Sequence, residues 1–220
     1  GVDYILPPDP DGIVLSPKAP LAITADDKTI VLGESIPAPT ATISGFISGE
    51  TLTTSDVEGM AECTTNADPN VAGEYPIVCT IGSLASETYE FESFVAGTLH
   101  VQYRWDGFLS PLNNEGHQDT NVFKAGSTVP IKFELKNSVG KIVQVATDPP
   151  WMIPQQLGPI SEPIDSANLA NPQKSGETFK KTGKQYLYNW KTDGYAPGYW
   201  YRISVKLDDG NIYYVTVGLR

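Results

Sequence analysis

The chain has 220 residues, of which 40% are hydrophobic and 19% charged, and its formal net charge at pH 7 is -11. This balance is typical of a folded protein with one or two domains, and it excludes a disordered chain. Residues 1–99 contain two of the 15 basic side chains but 15 of the 26 acidic ones, and the remainder is nearly balanced. Because phosphate groups need a basic surface, we expect no nucleic-acid partner and no binding to an anionic membrane. No apolar run reaches the roughly 18 residues of a membrane span, so we expect no membrane insertion.

Residues 1–20 are rich in proline, with five prolines between Pro7 and Pro20. This density excludes a helix and favours an extended, semi-rigid connector. We therefore interpret residues 1–20 as a linker that follows a preceding domain of the same polypeptide.

Residues 21–101 consist of short segments rich in Thr, Ile and Val, separated by Gly, Pro, Asn or Asp every eight to twelve residues. Such spacing predicts antiparallel β structure. Only the stretch GETLTTSDVEG, residues 49–59, could contain a helical turn. Two folds stay open for this first domain: an immunoglobulin-like sandwich, or a β-grasp arrangement with one short helix.

Residues 102–220 show the same pattern with larger side chains. In STVPIKFELK, Val129, Ile131 and Phe133 alternate with polar positions, which predicts a half-buried strand whose Lys132 faces water. Pro130 cannot donate to a ladder, so this strand should lie at a sheet edge or carry a bulge. The segments WYRISVKL and IYYVTV, joined by DDGN, predict a C-terminal hairpin. We expect an immunoglobulin-like Greek-key sandwich, and therefore an all-β chain of two small tandem domains.

One long stretch lacks this regular pattern. Residues 146–178 contain five prolines before Leu169. A connection of this length is uncommon inside a compact domain. The sequence therefore predicts either a wrapped functional loop or a mobile one.

The chain has two cysteines, Cys63 and Cys79, on short β-rich segments separated by a turn-rich insert. This arrangement favours a disulfide between neighbouring strands, the alternative being two reduced, buried thiols. A disulfide would indicate an oxidising compartment, and therefore a secreted or cell-surface protein.

No motif for catalysis is present in the sequence. The G-x-S-x-G elbow of serine hydrolases is missing, and His100 and His117 have no neighbouring pattern of cysteines or carboxylates that would indicate a metal or a catalytic triad. We therefore expect no catalytic residue, no metal site and no cofactor, and we expect that the protein is not an enzyme.

Aromatic residues are concentrated in the second half of the chain. Exposed aromatic rings stack on sugars and anchor protein partners. Alternation favours a core position for some of these rings; the candidate ligand contacts are Trp151, Tyr195, Tyr199 and Trp200.

Residues 21–101 resemble the MBG domain, a repeat module of bacterial surface and adhesin-like proteins. The resemblance rests on an ordered series: ITADD, GESIP, SGF, the turn GET, GEYPI and the closing GTLHV. One departure is VLGE, residues 31–34, where Tyr-Gly is common. Cys63 and Cys79 occupy the places of a cysteine pair found in that family, so the resemblance also implies a disulfide.

Residues 103–220 resemble a second family, the PxKF domain of secreted bacterial proteins. Four motifs occur in order: YRWDGFLSPLNN, KAGSTVPIKFELK, YLYNWKTD and ISVKLDDG. The cysteines of many relatives are absent here, which excludes a disulfide in this half. The resemblance implies no biochemical activity.

Two functions follow as expectations. The first is a non-catalytic structural or adhesive module at the C-terminal end of a secreted or surface-attached bacterial protein, acting as spacer or surface contact. The second is a carbohydrate-binding accessory domain of a secreted multidomain hydrolase. The expected partners are a glycan or a host or matrix protein, besides the preceding domain.

Overall fold

The computed structural model describes residues 17–112, 121–164 and 169–220. The linker predicted for residues 1–20 lies outside these ranges, apart from its last four residues, of which two already belong to the first strand. The described residues form 18 strands and no helix, which confirms the all-β prediction. They contain no helix with the length and apolar character needed to cross a membrane.

The described part of the first half forms seven strands in two sheets. The strands are β1 (Ala19–Ala25), β2 (Lys28–Val31), β3 (Ala41–Ser44), β4 (Glu62–Thr65), β5 (Gly73–Thr80), β6 (Tyr89–Val95) and β7 (Gly97–Gln102). One sheet has the order β3-β1-β6, with β1 and β6 parallel, and the other has the order β2-β7-β5-β4.

The described part of the second half forms eleven strands. They are β8 (Val122–Phe123), β9 (Thr128–Phe133), β10 (Leu135–Lys136), β11 (Ile142–Val143), β12 (Pro150–Met152), β13 (Gln155–Pro159), β14 (Lys174–Thr178), β15 (Lys180–Thr182), β16 (Gln185–Lys191), β17 (Tyr199–Lys206) and β18 (Ile212–Leu219). The largest sheet has the order β14-β12-β17-β18-β8, with β13 also paired to β17. A second sheet has the order β15-β16-β9, and β10 pairs with β11.

The chain divides into two compact units. Unit 1 contains the described residues up to Lys28, together with Ala38–Asn66 and Pro76–Thr98, and unit 2 contains Thr29–Pro37, Ala67–Tyr75 and Leu99–Arg220. The boundary predicted from the sequence, between residues 101 and 102, stays a prediction.

Unit 1 has a small apolar core. Alternate side chains of β1 point into it because successive residues of a strand face opposite sides. Its buried members are Leu21, Ile23, Val57, Leu84 and Tyr89. The stretch predicted to allow a helical turn, residues 49–59, forms turns and one isolated β-bridge from Glu58 to Ala85, and no helix. The helix-containing β-grasp alternative is therefore wrong for the described residues.

Unit 2 has a larger core that contains many aromatic rings. In β9, Val129, Ile131 and Phe133 are fully buried while Lys132 is half-buried, so the predicted alternation is confirmed. β9 is also the terminal strand of its sheet, as Pro130 requires. From the opposite sheet, Trp151 of β12 is buried near the same rings.

The stretch at residues 146–178 is not the irregular loop that its prolines suggested. It contains β12, β13 and β14, with residues 165–168 outside the described ranges. Pro150 is the first residue of β12 and Pro159 the last residue of β13. Proline is tolerated at these ends because a missing N–H interrupts no ladder there.

Candidate binding site: a cleft between two strand edges

The candidate site is a cleft in unit 2 where the hairpin of β15 and β16 separates. The two strands pair as far as Lys180 opposite Leu187. If this register continued, Thr178 would face Asn189. Instead Thr178 pairs with Pro150 of β12, and the N–H of the next residue donates to Pro149 O over 2.9 Å. The strands therefore diverge, and a cleft of about 560 Å³ opens between residues 176–178 and 187–191.

The burial of one phenylalanine explains this separation. Phe179 lies at the point where the hairpin opens, and it is fully buried. Its ring contacts Phe133, Trp151 and Tyr188, with centroid distances of 5.0, 5.5 and 5.9 Å. Full burial of such a side chain contributes about 1.5–3 kcal/mol, which exceeds the net contribution of one backbone hydrogen bond, about 1 kcal/mol. The chain therefore turns into the core at Phe179 and leaves the ladder.

The divergence leaves part of one strand edge without a partner. Thr192 N–H donates to Ser127 O of the chain preceding β9, in register with the β16–β9 ladder. Because alternate residues of a strand direct their backbone groups to opposite sides, the N–H and C=O of Asn189 and Lys191 point away from β9, towards the cleft. Neither residue has a backbone partner on that side among the described residues.

The opposite wall of the cleft is also a strand edge. β14 is the terminal strand of the six-stranded sheet, and among the strands that the structure describes it pairs with β12 alone. Gly176 in its middle leaves open space, since a Cβ there would contact nothing within 4 Å. The cleft therefore lies between the edges of two sheets.

Aromatic rings line the cleft below these edges. Trp151 stacks on Tyr188, with ring centroids 4.0 Å apart and planes 13° apart. Tyr195 meets Trp190 edge to face at 5.2 Å. Trp190 is 2% exposed, and its indole N–H has no acceptor among the described residues. The indole nitrogen itself is buried, so Trp190 contributes to the wall of the cleft through its ring.

One hydrogen bond crosses the cleft. The hydroxyl of Tyr188 donates to Oε2 of Glu177. Burial of the ring, and then this carboxylate, raise the pKa of Tyr188 well above its usual value. Tyr188 is therefore a neutral donor at physiological pH, and Glu177 is held in place on the β14 wall.

The segment from β14 to β16, which forms both walls of the cleft, is strongly basic. Residues 174–191 contain five lysines and one acidic residue, Glu177, although the whole chain has 15 basic and 26 acidic side chains. All five lysines are exposed, and among the described residues none forms an ion pair. Lys180 and Lys191 lie on the cleft itself.

The four aromatic residues proposed from the sequence as ligand contacts do not form one exposed platform. Trp151 and Trp200 are 3% and 2% exposed, so the expectation of exposed indole faces at these two positions is corrected. Tyr195 and Tyr199 are half-buried. Trp151 and Tyr195 line the cleft, whereas Tyr199 and Trp200 lie outside its lining. Ligand contact at these positions stays a prediction.

The burial of Trp200 has a local cause. Trp200 of β17 pairs with Gly218 of β18, and the missing side chain of the glycine leaves room for the indole ring. Ile160 packs over the same region of Gly218. The face of β17 that carries Trp200 is therefore covered, in addition to the face that alternation predicted to be buried. Alternation in β17 therefore indicated one buried face where the structure has two.

Cys63 and Cys79 lie directly opposite each other on β4 and β5 and form a disulfide, as expected. Both residues are half-buried, and their Cα atoms are 4.0 Å apart. The bridge therefore links two strands that are already adjacent in the β4–β5 ladder.

The described histidine supports no catalytic arrangement. His100 Nδ1 lies 3.6 Å from Glu74, and both side chains are partly exposed. His117 lies outside the described residues. In the described ranges, no three His, Cys, Asp or Glu side chains come together as a possible metal site.

Residues 21–100, just over a third of the chain, match the family model of the MBG domain (YGX type). This part of the chain is thus similar to MBG modules, although Val31 and Leu32 precede Gly33 where a Tyr-Gly is common. A search among curated proteins found no match to the chain.

Proposed function

We propose that this chain is a non-catalytic structural module of a secreted or surface-attached bacterial protein, acting as a spacer and as a surface contact. The observation that carries the proposal is the MBG match over residues 21–100, because MBG domains are surface and structural modules. We propose in addition that residues 103–220 form a PxKF domain, a module of secreted bacterial proteins.

Two structural features support it. The Cys63–Cys79 disulfide agrees with folding in an oxidising compartment. Each compact unit has buried apolar side chains of its own, as expected of modules that must stay folded outside the cell.

A display experiment tests the spacer function. The 220-residue chain is placed between a wall anchor and an epitope on a bacterial surface, and binding of a whole antibody to the epitope is compared with that of a small antibody fragment. We expect the chain to raise whole-antibody binding relative to a direct fusion, to the level given by an unrelated β-sandwich tandem of equal length. Whole-antibody binding equal to that of the direct fusion would contradict a spacer.

Surface contact is tested with the same cells. Adhesion to mucin and to immobilised matrix proteins is compared between cells that display the chain and cells that display the unrelated tandem. Adhesion that exceeds the control supports a contact role. Equal adhesion limits the proposed function to spacing.

Carbohydrate binding is the second candidate function, and the composition of the cleft favours it. Tyr195 and Tyr188 are half-buried rings that line the cleft beside the exposed amide of Asn189, and ring faces with nearby amides suit sugars. Binding of the chain to insoluble polysaccharides and mucin-type glycans is the test. Tyr195→Ala should remove saturable binding, and Tyr199→Ala, outside the cleft, is the matched control.

A further inference from the structure

The cleft resembles an incomplete sheet more closely than a sugar platform. Its two long walls are strand edges, and Asn189 and Lys191 present to it four backbone groups that have no partner within residues 17–112, 121–164 and 169–220. The indole faces that would stack on a sugar are buried: Trp151 is 3% exposed and already stacked on Tyr188. An exposed sheet edge is the feature to which extended peptides add as an extra strand.

The size of the cleft agrees with a short strand. Its volume of about 560 Å³ lies within the roughly 300–1,000 Å³ of sites that take small ligands. Because Asn189 and Lys191 are two residues apart, they can pair with a segment of about three residues, whose backbone spans about 10 Å at 3.3 Å per residue.

The charge of the hairpin indicates which peptide would bind. Lys180 and Lys191 flank the cleft, and Lys181 and Lys184 lie on the same hairpin. The opposite wall, β14, adds Lys174 and one carboxylate, Glu177, which accepts a hydrogen bond from Tyr188. Like charges would oppose a basic peptide, and acidic side chains would meet exposed ammonium groups.

We infer that the cleft binds an acidic, extended peptide segment, which adds as a β-strand to the free edge at residues 189–191 of β16. This inference names the partner class for the contact part of the proposed function. The spacer part does not depend on it, so the display experiment and the peptide experiment can fail separately.

The test uses the full 220-residue chain and a displayed library of random nine-residue peptides. We expect selected peptides to be rich in Asp and Glu and in β-forming residues. Binding of the best peptide should be lost when its backbone nitrogens are methylated, because added strands bind through main-chain hydrogen bonds. It should also weaken as the salt concentration rises.

Two variants place the site. Lys180→Glu with Lys191→Glu should weaken peptide binding at least tenfold, and Lys181→Glu with Lys184→Glu, on the same hairpin but outside the cleft lining, is the matched control. Asn189→Pro removes one N–H that faces the cleft and none that pairs with β9. It should weaken binding similarly, and tryptophan fluorescence checks that it folds.

Several results would overturn the inference. They are a failure to select any peptide, selected peptides that bind all variants equally, or peptides whose methylated forms still bind. Polygalacturonate serves as an acidic saccharide probe. The cleft is a saccharide site if no peptide is selected and if polygalacturonate binds the wild type but not the Lys180→Glu, Lys191→Glu variant. If sedimentation shows that the chain self-associates through the cleft, and the Lys180→Glu, Lys191→Glu variant is monomeric, the occupant is a second copy.

Discussion

Trp200 lies across Gly218, its partner on the neighbouring strand, so closely that a methyl group on the glycine would come within 2.8 Å of Cζ3 of the indole. Trp200 is 2% exposed, and Ile160 lies 3.3 Å from the same methyl position. The ring therefore occupies the volume that any larger residue at position 218 would need.

We expect Gly218→Ala to destabilise unit 2 by about 1–3 kcal/mol, because overpacking forces the ring or the backbone to shift. Gly158→Ala is the matched control, since a Cβ there meets nothing within 4 Å. The measurement is urea unfolding followed by tryptophan fluorescence, which reports unit 2 because all four tryptophans belong to it. Equal midpoints for the two variants would contradict close packing at Gly218.

Trp151→Ala should cost about 3–5 kcal/mol, the usual range for removing a buried aromatic side chain from a core. The indole is 3% exposed and contacts both Phe179 and Tyr188. Tyr199→Ala, at a half-buried ring, should cost clearly less. The measurement is the unfolding midpoint of each variant, followed by circular dichroism. A loss for Trp151→Ala no larger than that for Tyr199→Ala would contradict a core role for Trp151.

Removal of the disulfide should destabilise unit 1. A closed loop of about 15 residues contributes about 3 kcal/mol in the chain-entropy model. We expect the double variant Cys63→Ser, Cys79→Ser to lose about 3 kcal/mol of the free energy of unfolding of unit 1. The measurement is hydrogen exchange, which should be faster in β4 and β5 of the variant. Thiol titration of the unfolded wild-type chain should find no free thiol before reduction and two after it. Free thiols before reduction would mean that the bridge does not form.

Asp56 should make unit 1 sensitive to acid. Its carboxylate accepts hydrogen bonds from Ser86 Oγ and from the N–H groups of Glu87 and Thr88, over 2.7, 2.8 and 2.9 Å. These hydrogen bonds lower the pKa of Asp56 to about 2, and the bond from Ser86 makes the largest contribution. Because the pKa is lower in the folded state, the stabilisation is complete above the unfolded pKa of about 3.9 and is lost as the pH falls through about 2.

Asp56→Asn should remove this dependence. Hydrogen exchange of residues 86–88 is measured at pH 6, 4 and 2.5 for the wild type and the variant. The wild type should lose protection between pH 4 and 2.5, and the variant should start lower and change less. Parallel profiles for the two proteins would exclude Asp56 as the titrating group.

Tyr213 should make unit 2 sensitive to alkali. Its ring stacks on Trp105 at 4.2 Å, and burial, followed by the nearby Asp209, raises the pKa of Tyr213 to about 12. The folded state therefore keeps a proton that the unfolded state loses near pH 10, so stability is complete below pH 10 and falls as the pH rises towards 12. Urea midpoints at pH 8, 10 and 11.5 should fall for the wild type and fall less for Tyr213→Phe. An equal fall would assign the effect to other tyrosines.

Much of the fold was predictable because strand formation is a local property. The alternation of Val129, Ile131 and Phe133, the hairpin of β17 and β18, and the position of Pro130 on an edge strand all follow from side-chain periodicity and backbone donors. The disulfide was also predictable, because the two cysteines lie on β-rich segments separated by a turn-rich insert.

The site was less predictable, because contacts between distant residues form it. Trp151 and Tyr195 were singled out as aromatic candidates, but no local pattern indicated that Trp151 would be covered by Tyr188 or Trp200 would lie over Gly218. The lysines of residues 174–191 are visible as a cluster in the sequence, and this was the one signal that could have directed attention to the hairpin.

The sequence by itself determined that this chain forms short strands, which faces of those strands are apolar, and which cysteines can pair, since these depend on neighbours within a few residues. Only the tertiary structure decided where the hairpin of β15 and β16 opens. That point depends on Phe179 finding its place among Phe133, Trp151 and Tyr188, which come from three other parts of the chain. Burial of that ring outweighs continuation of the ladder, and so leaves the free edge on which the proposed contact depends.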